Sequence, residues 1–158
     1  MSVEFDVKMT TGTMYDYMMR HTFTSFAGIV GELLGILLIV GFFMYGQWLY
    51  LAAGVVCVLY QPVALYYRAR RQVNTNEAFK DLLHYRVDDK GITVTSGENS
   101  ESLEWSRMYR AVSTSRSVIL YTNRVNACIF PKEDMGDKKD DVIRIISTHM
   151  DPKQVNIR

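Results

Sequence analysis

The sequence predicts an α+β membrane protein: a two-helix transmembrane hairpin plus a small antiparallel β-meander, curled into a partial barrel and capped by a C-terminal helix. Three observations predict it. From Thr22 to Tyr67 the only charged residue is Glu32, so 34 of the chain's 35 charged residues lie outside that block. From Tyr85 to Pro131 apolar residues recur at alternate positions between turn signals, the period of a strand. From Asp137 to Met150 they recur at the spacing of one helix face. The average composition, 48% apolar and 22% charged, would suit an ordinary soluble domain. The partition within the chain does not.

The elements follow in order. Residues 1–25 read as a cytoplasmic strand and amphipathic helix. Val3-Glu4-Phe5-Asp6-Val7 alternates apolar and acidic side chains, and Met14, Tyr17, Met18 and His21 share a helical stripe that opens with a Thr13/Asp16 capping pair. A polar, acidic start is wrong for a cleaved signal peptide, so the apolar segments must carry targeting themselves.

Residues 26–67 read as the hairpin, with spans at 26–45 and 47–67. Each is about 20 residues long, which at 1.5 Å per residue is roughly the thickness of the hydrocarbon core. Aromatic residues mark both ends: Phe42, Phe43, Tyr45, Trp48 and Tyr50 at the turn, and Phe23, Phe26, Tyr66 and Tyr67 at the open end. Arg20 precedes the first span, Arg68, Arg70 and Arg71 follow the second, and the turn has no base. The positive-inside rule then puts both termini in the cytoplasm of a two-span protein of the bacterial plasma membrane. Arg68, Arg70 and Arg71 are expected to contact anionic membrane lipid, each contributing on the order of 1 kcal/mol.

A carboxylate within hydrocarbon is costly and needs a partner. With Gly46 as the apex, Glu32 lies level with Tyr60 and Gln61, so Glu32 and Gln61 are expected to form an intramembrane polar pair. The same register sets Gly31 beside Gln61 and Gly35 beside Cys57, a small-residue face for close helix approach. An interhelical clasp is the favoured role, ahead of a proton or ion site, because two helices supply only this pair of polar groups.

Residues 68–84 read as a basic juxtamembrane linker and a short helix starting at Asn74–Glu77. Residues 85–150 form the cytoplasmic β-domain. Its strands are expected at Tyr85–Asp89, Ile92–Thr95, Ser102–Ser113, Val118–Tyr121 and Val125–Pro131, followed by a helix N-capped by Asp137, with Val142, Ile145, Ile146 and Met150 facing inward. Trp105 reads as a core residue on a strand, and Lys132 as exposed. Residues 151–158 form a tail.

Tyr85, Asp89-Lys90-Gly91-Ile92, Glu104-Trp105, Tyr109-Arg110-Ala111-Val112, Leu120-Tyr121 and Ile129-Phe130-Pro131-Lys132, placed in this order after a tight hairpin, resemble the YcxB-like family of small bacterial membrane proteins. The resemblance implies a cytoplasmic part similar to the pleckstrin-homology (PH-like) fold. It brings no catalytic residues to carry over.

Little else points to chemistry. His21, His84 and His149 lie outside metal-ligand spacing of one another and of Cys57 and Cys128, and two cysteines so placed do not suggest a disulfide. No metal, cofactor or catalytic residue is expected, nor any small-molecule substrate. A net charge of +1 gives no field for nucleic acid. The Ser96–Glu101 loop carries acids and no base, and Arg116 and Arg124 fall at opposite ends of one strand, which argues against a specific lipid-headgroup site. The reading is therefore a membrane-anchored binding or scaffold module, not an enzyme, docking a cytoplasmic protein or another copy of itself. The alternative is an oligomeric small transporter or channel subunit working through Glu32.

Overall fold

The structure is a computed structural model and describes residues 2–157. In chain order it contains β1 (Val3–Val7), α1 (Thr11–Phe23), α2 (Phe26–Tyr45), α3 (Trp48–Thr75), β2 (Leu83–Val87), β3 (Gly91–Ser96), β4 (Asn99–Glu104), β5 (Arg110–Ser113), β6 (Ser117–Tyr121), β7 (Ala127–Pro131), α4 (Lys132–Met135), α5 (Lys139–His149) and β8 (Val155–Asn156). The class is α+β, as the sequence predicts. The strands form two sheets, ordered β1-β2-β3-β4 and β7-β6-β5-β8, and no ladder joins them into a closed barrel among the described residues.

The break between the sheets falls inside the segment expected to be one strand, Ser102–Ser113. A single 3-10 turn at Trp105–Arg107 ends β4 and redirects the chain into β5. Trp105 causes the turn to hold: its indole Nε1 donates to the Asp88 carbonyl at 2.9 Å, and its ring stacks on His149 with centroids 5.3 Å apart. An indole at a turn finds a partner for its N–H that a strand interior would deny it. The tail also departs from expectation. Val155 lies beside Ala111 as β8, running parallel to β5 and not antiparallel, with Ala111 N–H donating to the Gln154 carbonyl at 2.9 Å.

α1, α2 and α3 are inserted between two neighbouring strands of one sheet. β1 pairs antiparallel with β2 in the register Phe5↔Tyr85 and Val7↔Leu83. Both strands bury every second residue, which is what their alternation dictates. α3 does not stop at the arginines. It passes Pro62 and continues through Arg68, Arg70 and Arg71 to Thr75. The helix expected after Asn74 is instead a 3-10 turn, Glu77–Phe79, capped by the Asn76 side chain, which accepts from Ala78 N–H at 3.1 Å. The residues that follow are needed as β2, because Leu83, Tyr85 and Val87 fill the core.

That core lies between the sheets and under α5. Phe130 meets Phe5 and Tyr85 edge-on, at centroid distances of 5.4 and 4.9 Å. Ile92, Ile119, Leu120, Val142 and Ile146 are fully buried around them, each contributing about 1.5–3 kcal/mol of transfer free energy. α5 begins at Lys139, so Asp137 is not its cap, yet Val142, Ile145, Ile146 and Met150 face inward as their spacing predicts. Lys132 is half-buried, not exposed, and its Nζ donates to the Thr114 carbonyl at 2.7 Å.

The hairpin closes at Gly46, whose φ of 67° caps α2 in the left-handed conformation a side chain resists. α2 and α3 are both long and apolar enough to cross a membrane. Their outer faces are bare: only 11% of the most apolar stretch of each helix is buried. The β-domain stands directly on this hairpin. α1 packs on the base of α3, with Tyr15 edge-on to Tyr66 and with Leu65 and Ala69 buried.

Candidate functional site

The depth register read from the apex is what the helices adopt. A Cβ on Gly31 would meet the Gln61 side chain, and one on Gly35 would meet Cys57 and Val58. The expected Glu32–Gln61 hydrogen bond is not formed. Gln61 Nε2 donates to the Gly28 carbonyl at 3.4 Å. Gly28 and Gly31 have no side chains to keep the amide off the α2 backbone, so it reaches a carbonyl in place of the acid. The Oε1 atoms of Glu32 and Gln61 are left buried without partners. Arg68, Arg70 and Arg71 are exposed on the last turns of α3, with Ala69 buried among them. Arg68 also flanks a small recess with Gln61, Thr22 and Ser25, at the end of the hairpin nearest the β-domain.

A cavity of about 580 Å³ opens between the two sheets. Met14, Tyr85, Leu103 and Cys128 line it, with Gln72, Asn76 and Glu101 among the polar residues around it. Tyr85 is 4% exposed and stands in the cavity wall. Burial raises its pKa far above the usual phenol value, with a smaller contribution from Cys128. Burial likewise pushes the Cys128 thiol up to about 12, helped by the charge of Glu101. Both groups are therefore neutral at physiological pH, and the cavity offers an uncharged donor on an apolar wall.

The sequence reading missed this cavity because it curled the strands into one partial barrel and did not separate them into two sheets. The signal was present in β4. Asn99-Ser100-Glu101-Ser102-Leu103-Glu104 has one apolar residue, and only Leu103 is drawn partly inward. A strand that polar cannot seal a core. Trp105, expected as a core residue on a strand, is half-buried at the turn, outside the cavity lining.

The histidines are placed apart. His84 lies on the exposed face of β2, its Nδ1 2.7 Å from Asp6 Oδ1, and His149 stacks on Trp105. Among the described residues no three His, Cys, Asp or Glu side chains come together as a metal site.

Fold and cavity define the class: an α+β protein in which two long apolar helices carry a two-sheet domain with an open cleft between its sheets. Residues 87–146 match the family model described as YcxB-like protein. This is the family the sequence resembles, and the matched stretch takes in the resembling residues from Asp89 to Lys132, with Tyr85 just before it. No curated protein and no solved structure matches the chain.

Proposed function

We propose that this protein is a membrane-anchored binding module of the bacterial plasma membrane, with α2 and α3 as the anchor and the two-sheet domain in the cytoplasm. The observation that carries the reading is the insertion itself: a hairpin with a bare apolar outside, set between two paired strands of the sheet that walls the cavity. Phe43 and Leu49 are each 78% exposed and Leu37 is 65% exposed, and so continuous an apolar surface calls for a covering phase. A bilayer supplies it without demanding hydrogen bonds, since the helices satisfy their own backbones. Pairing of β1 with β2 supports an even number of crossings, because both strands must reach the same side. Arg20, Arg68, Arg70 and Arg71 favour that side being the cytoplasm.

The domain resembles a PH-like fold in having two sheets of consecutive strands closed by a C-terminal helix. Its role is binding, not catalysis, and its occupant is a segment of a cytoplasmic protein or of a second copy. A photoreactive residue at Leu103 in the cavity, compared with one at Lys153 on the surface, tests this in intact membranes. Crosslinks from Leu103 alone are expected. Monomer from both positions, in a chain that carbonate strips from the membrane, would refute the reading.

A second reading keeps one specific observation: the buried, unpartnered oxygens of Glu32 and Gln61. In an oligomer they would face a polar group of a neighbouring hairpin, as a transporter or channel subunit requires. Proton flux into reconstituted vesicles, abolished by Glu32→Gln, would favour it over the binding module.

A further inference from the structure

A recess of about 230 Å³ lies where α1 meets the second sheet, and its lining is basic. Arg20 comes from the last turns of α1, Arg110 from the start of β5, and Arg124 from the β6–β7 turn. His21, Tyr109 and Tyr121 complete most of the wall, and no carboxylate lines it. None of the three guanidinium groups makes an ion pair or hydrogen bond among the described residues. The acid on the same helix, Asp16, is engaged elsewhere, accepting from Thr114 Oγ1 at 2.6 Å. Three like charges in one recess repel, and only an anion between them turns that repulsion into binding.

The walls are fixed before any ligand arrives. Tyr17 O–H donates to the Val125 carbonyl at 2.5 Å, tying the β6–β7 turn to α1. Asn123 Oδ1 accepts from the N–H groups of Val125 and Asn126, at 2.8 and 2.7 Å, so the turn bearing Arg124 is closed on itself. Tyr121 sits among the cations: burial raises its pKa while Arg20 and Arg110 pull it back. The recess is also placed at one depth. Thr24 lines it, Ser25 caps α2, and Phe26 opens the apolar span. Half-exposed Tyr109 and buried Val112 add apolar surface to its lining.

We propose that Arg20, Arg110 and Arg124 bind the phosphate of an anionic headgroup at the membrane surface, at the point where α1 turns into the hairpin. Guanidinium groups suit this because their planar forks donate in pairs to phosphate oxygens. The site differs from the exposed arginines of α3, of which Arg68 alone borders a recess, with no second base in its lining. The location rests on the anchor reading; the phosphate chemistry does not, and a soluble phosphate would use the same three donors.

The test is native mass spectrometry of the full chain in detergent micelles offered equal phosphatidylglycerol and phosphatidylcholine, with millimolar inorganic phosphate as competitor. The wild type is expected to retain one phosphatidylglycerol per chain. Substituting Arg20→Gln, Arg110→Gln and Arg124→Gln together should weaken retention about 10-fold or more, while Arg68→Gln, Arg70→Gln and Arg71→Gln together should not. Lysine at the first three positions should restore part of it, which separates lost charge from a damaged fold. Equal losses from the two glutamine triples, or no loss from either, would overturn the proposal. Displacement by inorganic phosphate supports the three-arginine phosphate site and assigns its source to a soluble anion; resistance assigns it to lipid. Carbonate extraction of the wild type separately tests the anchor, so a failed anchor with intact phosphate binding is distinguishable from a failed site.

Discussion

The seam between α2 and α3 makes a quantitative claim about two glycines. A Cβ on Gly54 would lie 2.8 Å from the Gly35 carbonyl oxygen and 2.9 Å from the Ile39 amide nitrogen. Both are backbone atoms of the facing helix, so no side-chain rotation relieves the clash. Ordinary contact begins near 3.4 Å, so Gly54→Ala must part the helices by about half an ångström. A gap of that order forfeits about a quarter of each dispersion contact it opens, and overpacking of this kind costs about 1–3 kcal/mol. The helix-propensity gain of alanine over glycine returns about 1 kcal/mol. A net loss of up to about 2 kcal/mol is expected, which is up to about 30-fold faster amide exchange along the hairpin. Gly31→Ala is the control. Its Cβ would meet only the flexible end of Gln61, with the next atom at 3.7 Å, so rotating that amide relieves it at the cost of one long hydrogen bond. Hydrogen exchange of both variants in micelles decides the matter. Equal protection in the two, or a greater loss at Gly31, would refute the seam.

Other perturbations read the β-domain. Tyr85→Phe removes a hydroxyl from the cavity wall, so thermal melting should show stability unchanged to within about 1 kcal/mol; a clear loss would show the hydroxyl is bonded within the fold. Burial pushes both Cys128 and Tyr17 up to about 12, with Tyr121 adding to the effect at Tyr17. The unfolded chain therefore ionises first, and stability flat below pH 9 should fall as pH rises towards 12. Cys128→Ala should move the onset from the ordinary thiol value of 9.0 to the ordinary phenol value of 10.0, and an unmoved onset would exclude the thiol as its cause. Asp88 Oδ1 accepts from the N–H groups of Lys90 and Gly91, at 2.9 and 3.2 Å, to fold the β2–β3 turn. Asp88→Ala should cost about 1 kcal/mol and Asp88→Asn much less, since the amide oxygen can still accept; equal melting of the two would contradict the turn's dependence on that oxygen.

What was legible in the sequence is what short range determines. The hairpin declares itself by a charge-free length, and counting outward from Gly46 sets Gly31 against Gln61 and Gly35 against Cys57 before any coordinates. The buried face of α5 follows from its period. The strands at Val3–Val7 and from Tyr85 onward also show in their alternation, but the register that pairs them does not, because pairing depends on where a distant segment arrives. The same limit hid the break at Trp105, whose hydrogen bond goes to Asp88 on another strand. It hid β8, two residues with no pattern of their own. It also hid the arginine recess, since Arg20, Arg110 and Arg124 come from a helix, a strand and a turn far apart in the chain. Arg124 had been set against Arg116 along one strand, when its neighbours come from elsewhere.

The insertion of three helices between β1 and β2 also orders events in time. Val3–Val7 leaves the ribosome first, and its partner at Leu83–Val87 only after the whole hairpin has been made. At about 5–20 residues per second the first strand waits roughly 4–15 s with both edges open. Its alternate acids, Glu4 and Asp6, give that waiting strand a charged face, which discourages pairing with the wrong chain. If α2 and α3 are the membrane anchor proposed above, the sheet can close only when the segment between has left both ends on one side of the bilayer. On that reading a completed β1–β2 ladder reports correct insertion: a misthreaded hairpin would leave β1 unpaired and open to proteolysis.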